Sequence, residues 1–176
     1  LKKLLGQEVV LDNSESLGRY AGDEWFASNV PDAVVLPTCT DEVSRVMRFA
    51  YRRGIAVTPR GAGHGYVGGC VPIRGGIVLS LEKMDKIIEI NPDDFVAVVQ
   101  PGVITQALQE AVEKVGLYYP PDPASRDESS IGGNISTNAG GPRCLKYGVT
   151  RDYVLGLEVV LADGTVVRLG GRTHKK

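Results

Sequence analysis

The residues best placed to do chemistry lie in "VTPRGAGHGYVGGC", residues 57–70, where glycines at 61, 63, 65, 68 and 69 surround His64 just after a short β-branched run. Glycine loses conformational entropy wherever it is fixed. A cluster between ordered segments therefore points to backbone that takes positive φ or lies close to something else. A dinucleotide loop of the Rossmann type would open a helix, and "GYVGGCVPIRGG" over 65–76 cannot start a stable one. A P-loop would run on into Gly-Lys-Ser or Gly-Lys-Thr, which does not follow. What remains is a wide turn whose successive amide N–H groups point one way, a nest for an anion that needs no lysine. A diphosphate suits it; the bland alternative is a glycine-rich surface turn with no ligand.

A second stretch, "YYPPDPASRDESSIGGNISTNAGGPRCLKYG" over 118–148, is rich in proline and glycine and has little periodicity. It is long for a plain connection inside a compact domain, which marks it for function. Arg126, Arg143, Lys146 and Arg151 form a loose basic group around it, suited to phosphates, to a substrate carboxylate, or simply to solvent. Tyr147 and Tyr153 read as packing, Cys144 has no neighbouring base to activate it, and the second histidine, His174, reads as solvated.

Alternating elements must position these stretches. "PDAVVLP" reads as a buried strand. A helix follows with Thr40 as N-cap, Asp41 and Glu42 in its first turn, Arg52 and Arg53 in its last, and Gly54 as its stop. Val43, Val46, Met47 and Ala50 form its core face. "IAVTP" is a second strand, making 33–59 a βαβ-like unit, and "GGIVLSL" is another. "KIIEINPDDFVAVVQP" reads as two strands around an Asn-Pro-Asp-Asp turn. Residues 104–115 suggest a helix with Ala107, Leu108, Ala111, Val112 and Val115 inward, closed by Gly116. "VLGLEVVLADGTVVRLGG" reads as a hairpin around residues 162–165. The order implies an α+β chain in two lobes.

The 176 residues are 43% hydrophobic and 23% charged, an ordinary globular composition with room for a core. A net charge of −1 and the lack of a basic stripe argue against nucleic acid as a partner. Cys39, Cys70 and Cys144 are odd in number and widely spaced, which argues against a disulfide framework or a zinc site and for a reducing, cytoplasmic setting. No apolar run approaches the roughly 18 residues of a membrane span.

"PRGAGHGYVGG" and "PPDPASRDESSIGGNISTNAGGPRCLKYGVTRDYVLGLEVVLADG", in this order, resemble the FAD-binding domain of the vanillyl-alcohol oxidase superfamily, in particular its FAD-linked D-lactate dehydrogenase and glycolate oxidase group. The similarity runs over nearly all of residues 10–176. It implies a two-lobed α+β domain: an N-terminal arm at 1–30, a small α/β subdomain with the diphosphate loop at 31–83, and a second, truncated subdomain at 84–176, the cap domain of relatives being absent. The implied function is the FAD-binding part of a flavin-dependent 2-hydroxyacid dehydrogenase or oxidase, with hydride passing from substrate C2 to flavin N5. Its partners would be a 2-hydroxy acid and the missing cap segment or companion subunits. The fragment alone would be inactive, with no catalytic residue or metal ligand assigned within it. Alternatives are a noncatalytic half-site subunit or another superfamily activity such as alkylglycerone phosphate synthase.

Carried over position by position, the resemblance implies cofactor contacts at Pro59, Arg60, Gly61, Ala62, Gly63, His64, Gly65, Gly68 and Gly69. It implies more at Pro121, Asp122, Pro123, Ser129, Ser130, Ile131, Gly132 and Gly133, and at Ser136, Thr137, Asn138, Ala139 and Gly140, through backbone more than side chain; "LSLEKM", 79–84, joins them with less specificity. His64 departs from the hydroxy-acid group, which carries threonine there. Other superfamily members bond a histidine at this place covalently to the flavin, and a neutral imidazole is nucleophilic enough for it. Noncovalent FAD is the leading expectation and attachment through His64 the alternative.

Overall fold

The computed structural model describes residues 1–172, and His174 lies outside them. In chain order the elements are α1 (Lys2–Leu5), β1 (Val10–Leu11), α2 (Ser14–Gly18), β2 (Ala33–Val35), α3 (Thr40–Arg53), β3 (Val57–Arg60), β4 (Ile77–Ser80), β5 (Ile87–Asn91), β6 (Val96–Val99), α4 (Thr105–Glu113), α5 (Ile131–Thr137), α6 (Cys144–Tyr147), a 3-10 turn (Thr150–Tyr153), β7 (Gly156–Val160) and β8 (Val166–Gly170).

Four strands form a sheet in the order β1-β2-β4-β3. β1 runs antiparallel to β2, while β2 and β3 both run parallel to β4, with Val34 opposite Val78 and Thr58 opposite Val78 on its other side. The βαβ-like unit is therefore opened, with β4 inserted between its two strands. β4 is buried along its whole length, as the central strand of a mostly parallel sheet must be.

α3 covers this sheet with the expected stripe: Val46 is fully buried, Val43 and Ala50 nearly so, and Met47 packs against them. Its stop is as read, Gly54 at φ 63° donating its N–H to the carbonyls of Ala50 and Tyr51. Its start differs. Cys39 is the N-cap, and Glu42 reaches back to accept from the N–H and hydroxyl of Thr38 at 2.7 and 3.1 Å. Thr40 is thereby freed to donate to Glu158 on β7 at 2.6 Å.

β5 and β6 form the expected hairpin, its turn closed by Asn91 Oδ1, which accepts from the amides of Asp93 and Asp94. A second core lies between this hairpin, α4 and α5, built on Val103, Leu108, Val112 and Ile131. The inward face of α4 is Thr105, Leu108, Gln109 and Val112, whereas Ala107 and Val115 are exposed. The physical reason is hydrogen bonding. The proline-rich stretch that follows has no ladder of its own, so Gln109 Nε2 donates to Pro121 O at 2.8 Å and Thr105 Oγ1 to Ser129 O at 3.0 Å. β7 and β8 form the closing hairpin, and it returns to α3: Ser44 Oγ donates to Gly164 O at 2.6 Å and Val160 packs on the first core. Among the described residues no helix is long and apolar enough to cross a membrane.

Candidate functional site

The glycine loop leaves the end of β3 at Pro59 and Arg60 and forms no helix over 61–76, as the sequence requires. Gly63 and Gly68 take φ values of 90° and 71°, a region that favours glycine. Gly61 serves close approach instead: a Cβ there would stand 2.6 Å from Ser130 Oγ and 3.3 Å from Gly133 Cα. Two stretches nearly 70 residues apart in the chain thus meet backbone to backbone.

Ser130 makes the joint. It is the N-cap of α5, its Oγ accepting from Gly133 N at 3.3 Å and also from Ala62 N at 3.2 Å across the junction. α5 is held from its other side by Gly132, whose N–H donates to Pro101 O at 2.8 Å. A buried network of Thr105, Ser129 and Asn134 lies beneath, Asn134 Nδ2 donating to Thr105 Oγ1 at 2.6 Å. Beside the junction lies an open cavity of about 290 Å³, lined by Ala62, Glu82, Asp85, Ile87, Gly102, Val103, Ile104, Ala107 and Ser130. Its size is at the small end of ligand pockets, which run from roughly 300 to 1,000 Å³.

The amides of the loop are the natural ligand groups. Gly68 N–H donates to Asp23 Oδ2 at 2.9 Å and Ala62 N–H to Ser130, but among the described residues the amides of 63–67 have no acceptor within the protein. Backbone donors left open in this way call for an outside acceptor or water. The charge around them is unusual for an anion site. His64 Nδ1 lies 3.4 Å from Glu24 Oε1 and 3.4 Å from Glu128 Oε2, and Arg60 is turned under the loop, donating to Gly22 O. Attraction for an anion must come from backbone dipoles.

The other expected positions are drawn together differently. Pro121 is fully buried, and Asp122 donates its N–H to Gly140 O at 3.2 Å while its carboxylate meets Arg143 Nε at 3.0 Å and Arg126 Nη1 at 3.5 Å. Two of the basic residues are therefore engaged by Asp122. Pro123 closes against Gly141, where φ is 115° and a Cβ would stand 1.9 Å from Asp122 O. The hydroxyls of Ser136 and Thr137 donate back along α5 to Gly132 O and Gly133 O, and Asn138 caps the helix at φ 52° while accepting Arg151 N–H at 3.0 Å. Ala139 O accepts from the Thr150 hydroxyl at 2.6 Å. The Ser136 and Thr137 hydroxyl protons and Asn138 Oδ1 are thus engaged within the protein, while Asn138 Nδ2 has no acceptor among the described residues.

Of the lining residues, Asp85, Ile87, Gly102, Val103, Ile104 and Ala107 lie outside the stretches expected to meet the cofactor, whereas Glu82 lies within 79–84. Gly102 and Val103 enter the cavity after a Pro-Gly turn, where a Cβ on Gly102 would stand 2.4 Å from Leu81 O; the Pro101-Gly102 pair was the available clue. Glu82 is held by the hydroxyls of Tyr20 at 3.1 Å and Ser80 at 3.0 Å, whereas Leu79 and Met84 of the same stretch are core. Burial, helped by the charge of Glu82, pushes the Tyr20 phenol above its ordinary range. Burial likewise raises the Cys70 thiol against the opposing pull of Arg60, which keeps it protonated and a poor nucleophile. Among the described residues no three His, Cys, Asp or Glu side chains are grouped to hold a metal ion.

A family model described as FAD binding domain matches residues 31–170. The glycolate oxidase subunit GlcD of Bacillus subtilis is 52% identical over 147 residues, covering 84% of this chain and 31% of the relative. A D-lactate dehydrogenase of Anaerostipes hadrus is 46% identical over 145 residues, covering 82% of this chain and 30% of its own length. The chain thus spans about a third of the length of these relatives. Among solved structures, an alkyldihydroxyacetonephosphate synthase superposes with a TM-score of 0.86 at 24% identity over 98% of this chain and 33% of its own, a likeness of fold.

Proposed function

From the premise that this chain belongs to the FAD binding domain family and has the α+β fold of the vanillyl-alcohol oxidase type, we propose that it holds the cofactor in a flavoprotein that oxidises 2-hydroxy acids of the glycolate or D-lactate kind. The observation that carries this reading is the row of open amides at 63–67 beside the Ala62–Ser130 junction. A diphosphate supplies the acceptors those donors lack, and the flanking cavity takes an adjoining part of a dinucleotide.

In the reaction the bound flavin supplies hydride acceptance from the substrate carbon. The residues of this chain bind and orient. The loop amides grip the linker, Gly61 allows the close backbone approach to α5, and Ser130 fixes the two stretches against each other. The carboxylates of Glu82 and Asp85 at the cavity suit hydroxyl or amino donors of a nucleoside and disfavour a further phosphate there. The relatives' names suggest the substrate class, glycolate for one and D-lactate for the other.

We take the FAD as noncovalently bound; in the covalent alternative the attacking atom would be His64 Nε2, because Nδ1 is flanked by the carboxylates of Glu24 and Glu128. The test is direct. The purified protein should bind FAD with a change in flavin fluorescence, and acid precipitation should leave the yellow colour in the supernatant. Anaerobic addition of glycolate or D-lactate to the loaded protein tests catalysis by this chain: bleaching of the flavin band would overturn the expectation that it is inactive alone. Colour retained in the pellet would establish covalent attachment, and bound flavin that no 2-hydroxy acid bleaches would point to a cofactor-binding subunit without catalysis of its own.

A further inference from the structure

The turn Tyr20 to Trp25 precedes the stretch that the family model matches, and no pattern in the sequence marks it. In the structure it lies along the glycine loop and is stitched to it at three points. Arg60, where the loop begins, donates through Nη1 to Gly22 O. Gly65, in its middle, accepts from Glu24 N–H at 3.0 Å. Gly68, near its end, donates to Asp23 Oδ2 at 2.9 Å. The Arg60 guanidinium occupies the space directly beneath the loop. A Cβ on Gly63 would stand 2.0 Å from its Nη2, Cys70 Sγ packs against Nη1 at 3.3 Å, and the ring of Tyr20 lies 5.7 Å away.

We propose that the Tyr20 to Trp25 turn pre-shapes the diphosphate loop and that Arg60 is its strut, a positioning residue rather than a cation for the phosphate. This rests on the reading that the loop takes the diphosphate of FAD. The physical need is clear from the loop's composition. Fixing each residue in one backbone well costs conformational entropy, most of all for glycine, and a nest binds well only if its amides converge before the ligand arrives. Three hydrogen bonds from a separate segment supply that order in advance. The strut also explains why the most basic residue of the loop faces inward: it holds Gly22 O and the loop floor in place, and the open amides at 63–67 are left to meet the anion.

The test compares the parent protein with Arg60→Met, which keeps much of the stem packing, and Asp23→Ala, which cuts the stitch from the turn's side. FAD binding is followed by flavin fluorescence at low and high salt. The reactivity of Cys70 without FAD is followed by mass spectrometry of the labelled thiol, against the exposed Cys39 and Cys144 as internal standards. The expected result is FAD binding weaker by about tenfold or more in both variants, the parent's proportional dependence on salt in both, and faster labelling of Cys70 in Asp23→Ala, the loss of the Arg60 cation in the other variant itself disfavouring the reactive thiolate. A flattened salt dependence in Arg60→Met, with Asp23→Ala at parent values in binding and labelling, would make Arg60 a phosphate cation and overturn the proposal. A parent protein that takes up no FAD would instead overturn the functional reading on which it rests.

Discussion

Replacing Gly61 by alanine isolates the contact on which the site is built. Gly61 has no positive φ, so the alanine meets no backbone strain and its cost is contact alone. The new methyl would stand 2.6 Å from Ser130 Oγ and 3.3 Å from both Cα and N of Gly133. Ser130 must then turn away, giving up its bonds to Ala62 N and Gly133 N, each worth about 0.5–1.5 kcal/mol. The remaining crowding against the α5 backbone adds about 1–2 kcal/mol. The sum is about 2–5 kcal/mol, and if the loss falls on the FAD-bound form the affinity drops by roughly 30-fold to 5,000-fold. Urea unfolding of the apoprotein and FAD titration divide the cost between folding and binding. A double-mutant cycle with Ser130→Ala makes the contact itself measurable. Ser130→Ala alone costs about 1 kcal/mol through the lost cap, and in its background Gly61→Ala should be cheaper by at least about 1 kcal/mol because the atom it strikes is gone. Gly18→Ala, at the end of α2 with open space around its Cβ position, should be neutral or slightly stabilising. Additivity of the two changes within about 0.5 kcal/mol, or FAD binding by Gly61→Ala at the parent level, would falsify the junction as described.

Gly141→Ala combines a φ of 115° with a Cβ 1.9 Å from the backbone oxygen of Asp122, which cannot swing aside, and should lower stability by about 4 kcal/mol or more in urea unfolding. A stable, FAD-binding Gly141→Ala protein would contradict the packing of 121–123 against 140–141. Burial pushes the Tyr119 phenol up to about 12 from an ordinary 10.0, outweighing the opposing influence of the nearby Thr150 side chain. Because the folded state holds this proton more tightly than the unfolded state, the stability it contributes is fully present below about pH 10 and is lost as pH rises through about 12. The loss reaches about 2–3 kcal/mol. Alkaline unfolding curves should show it in the parent and show less of it in Tyr119→Phe; equal slopes in the two proteins would remove Tyr119 as the cause.

Local pattern alone placed α3 and its glycine stop, the strand runs from β2 to β8, both hairpins and the glycine loop, because side-chain periodicity, dipole-matched charges and turn chemistry act over a few residues. The resemblance carried by the two long motifs supplied the cofactor class, and the matched stretch at 31–170 agrees with it. Tertiary structure decided the rest. The insertion of β4 between β2 and β3 depends on a strand pairing with two distant partners, which no local window contains. α4 turned Thr105 and Gln109 inward, against its apolar pattern, because the proline-rich segment beside it needed donors. The inward turn of Arg60, the service of residues 20–25 to the loop and the meeting of Ala62 with Ser130 are contacts across 38 to 68 residues of chain. Sequence could name the glycines that leave room for such contacts; only the folded chain could show what fills the room, since a missing side chain says that something is near and nothing about what it is.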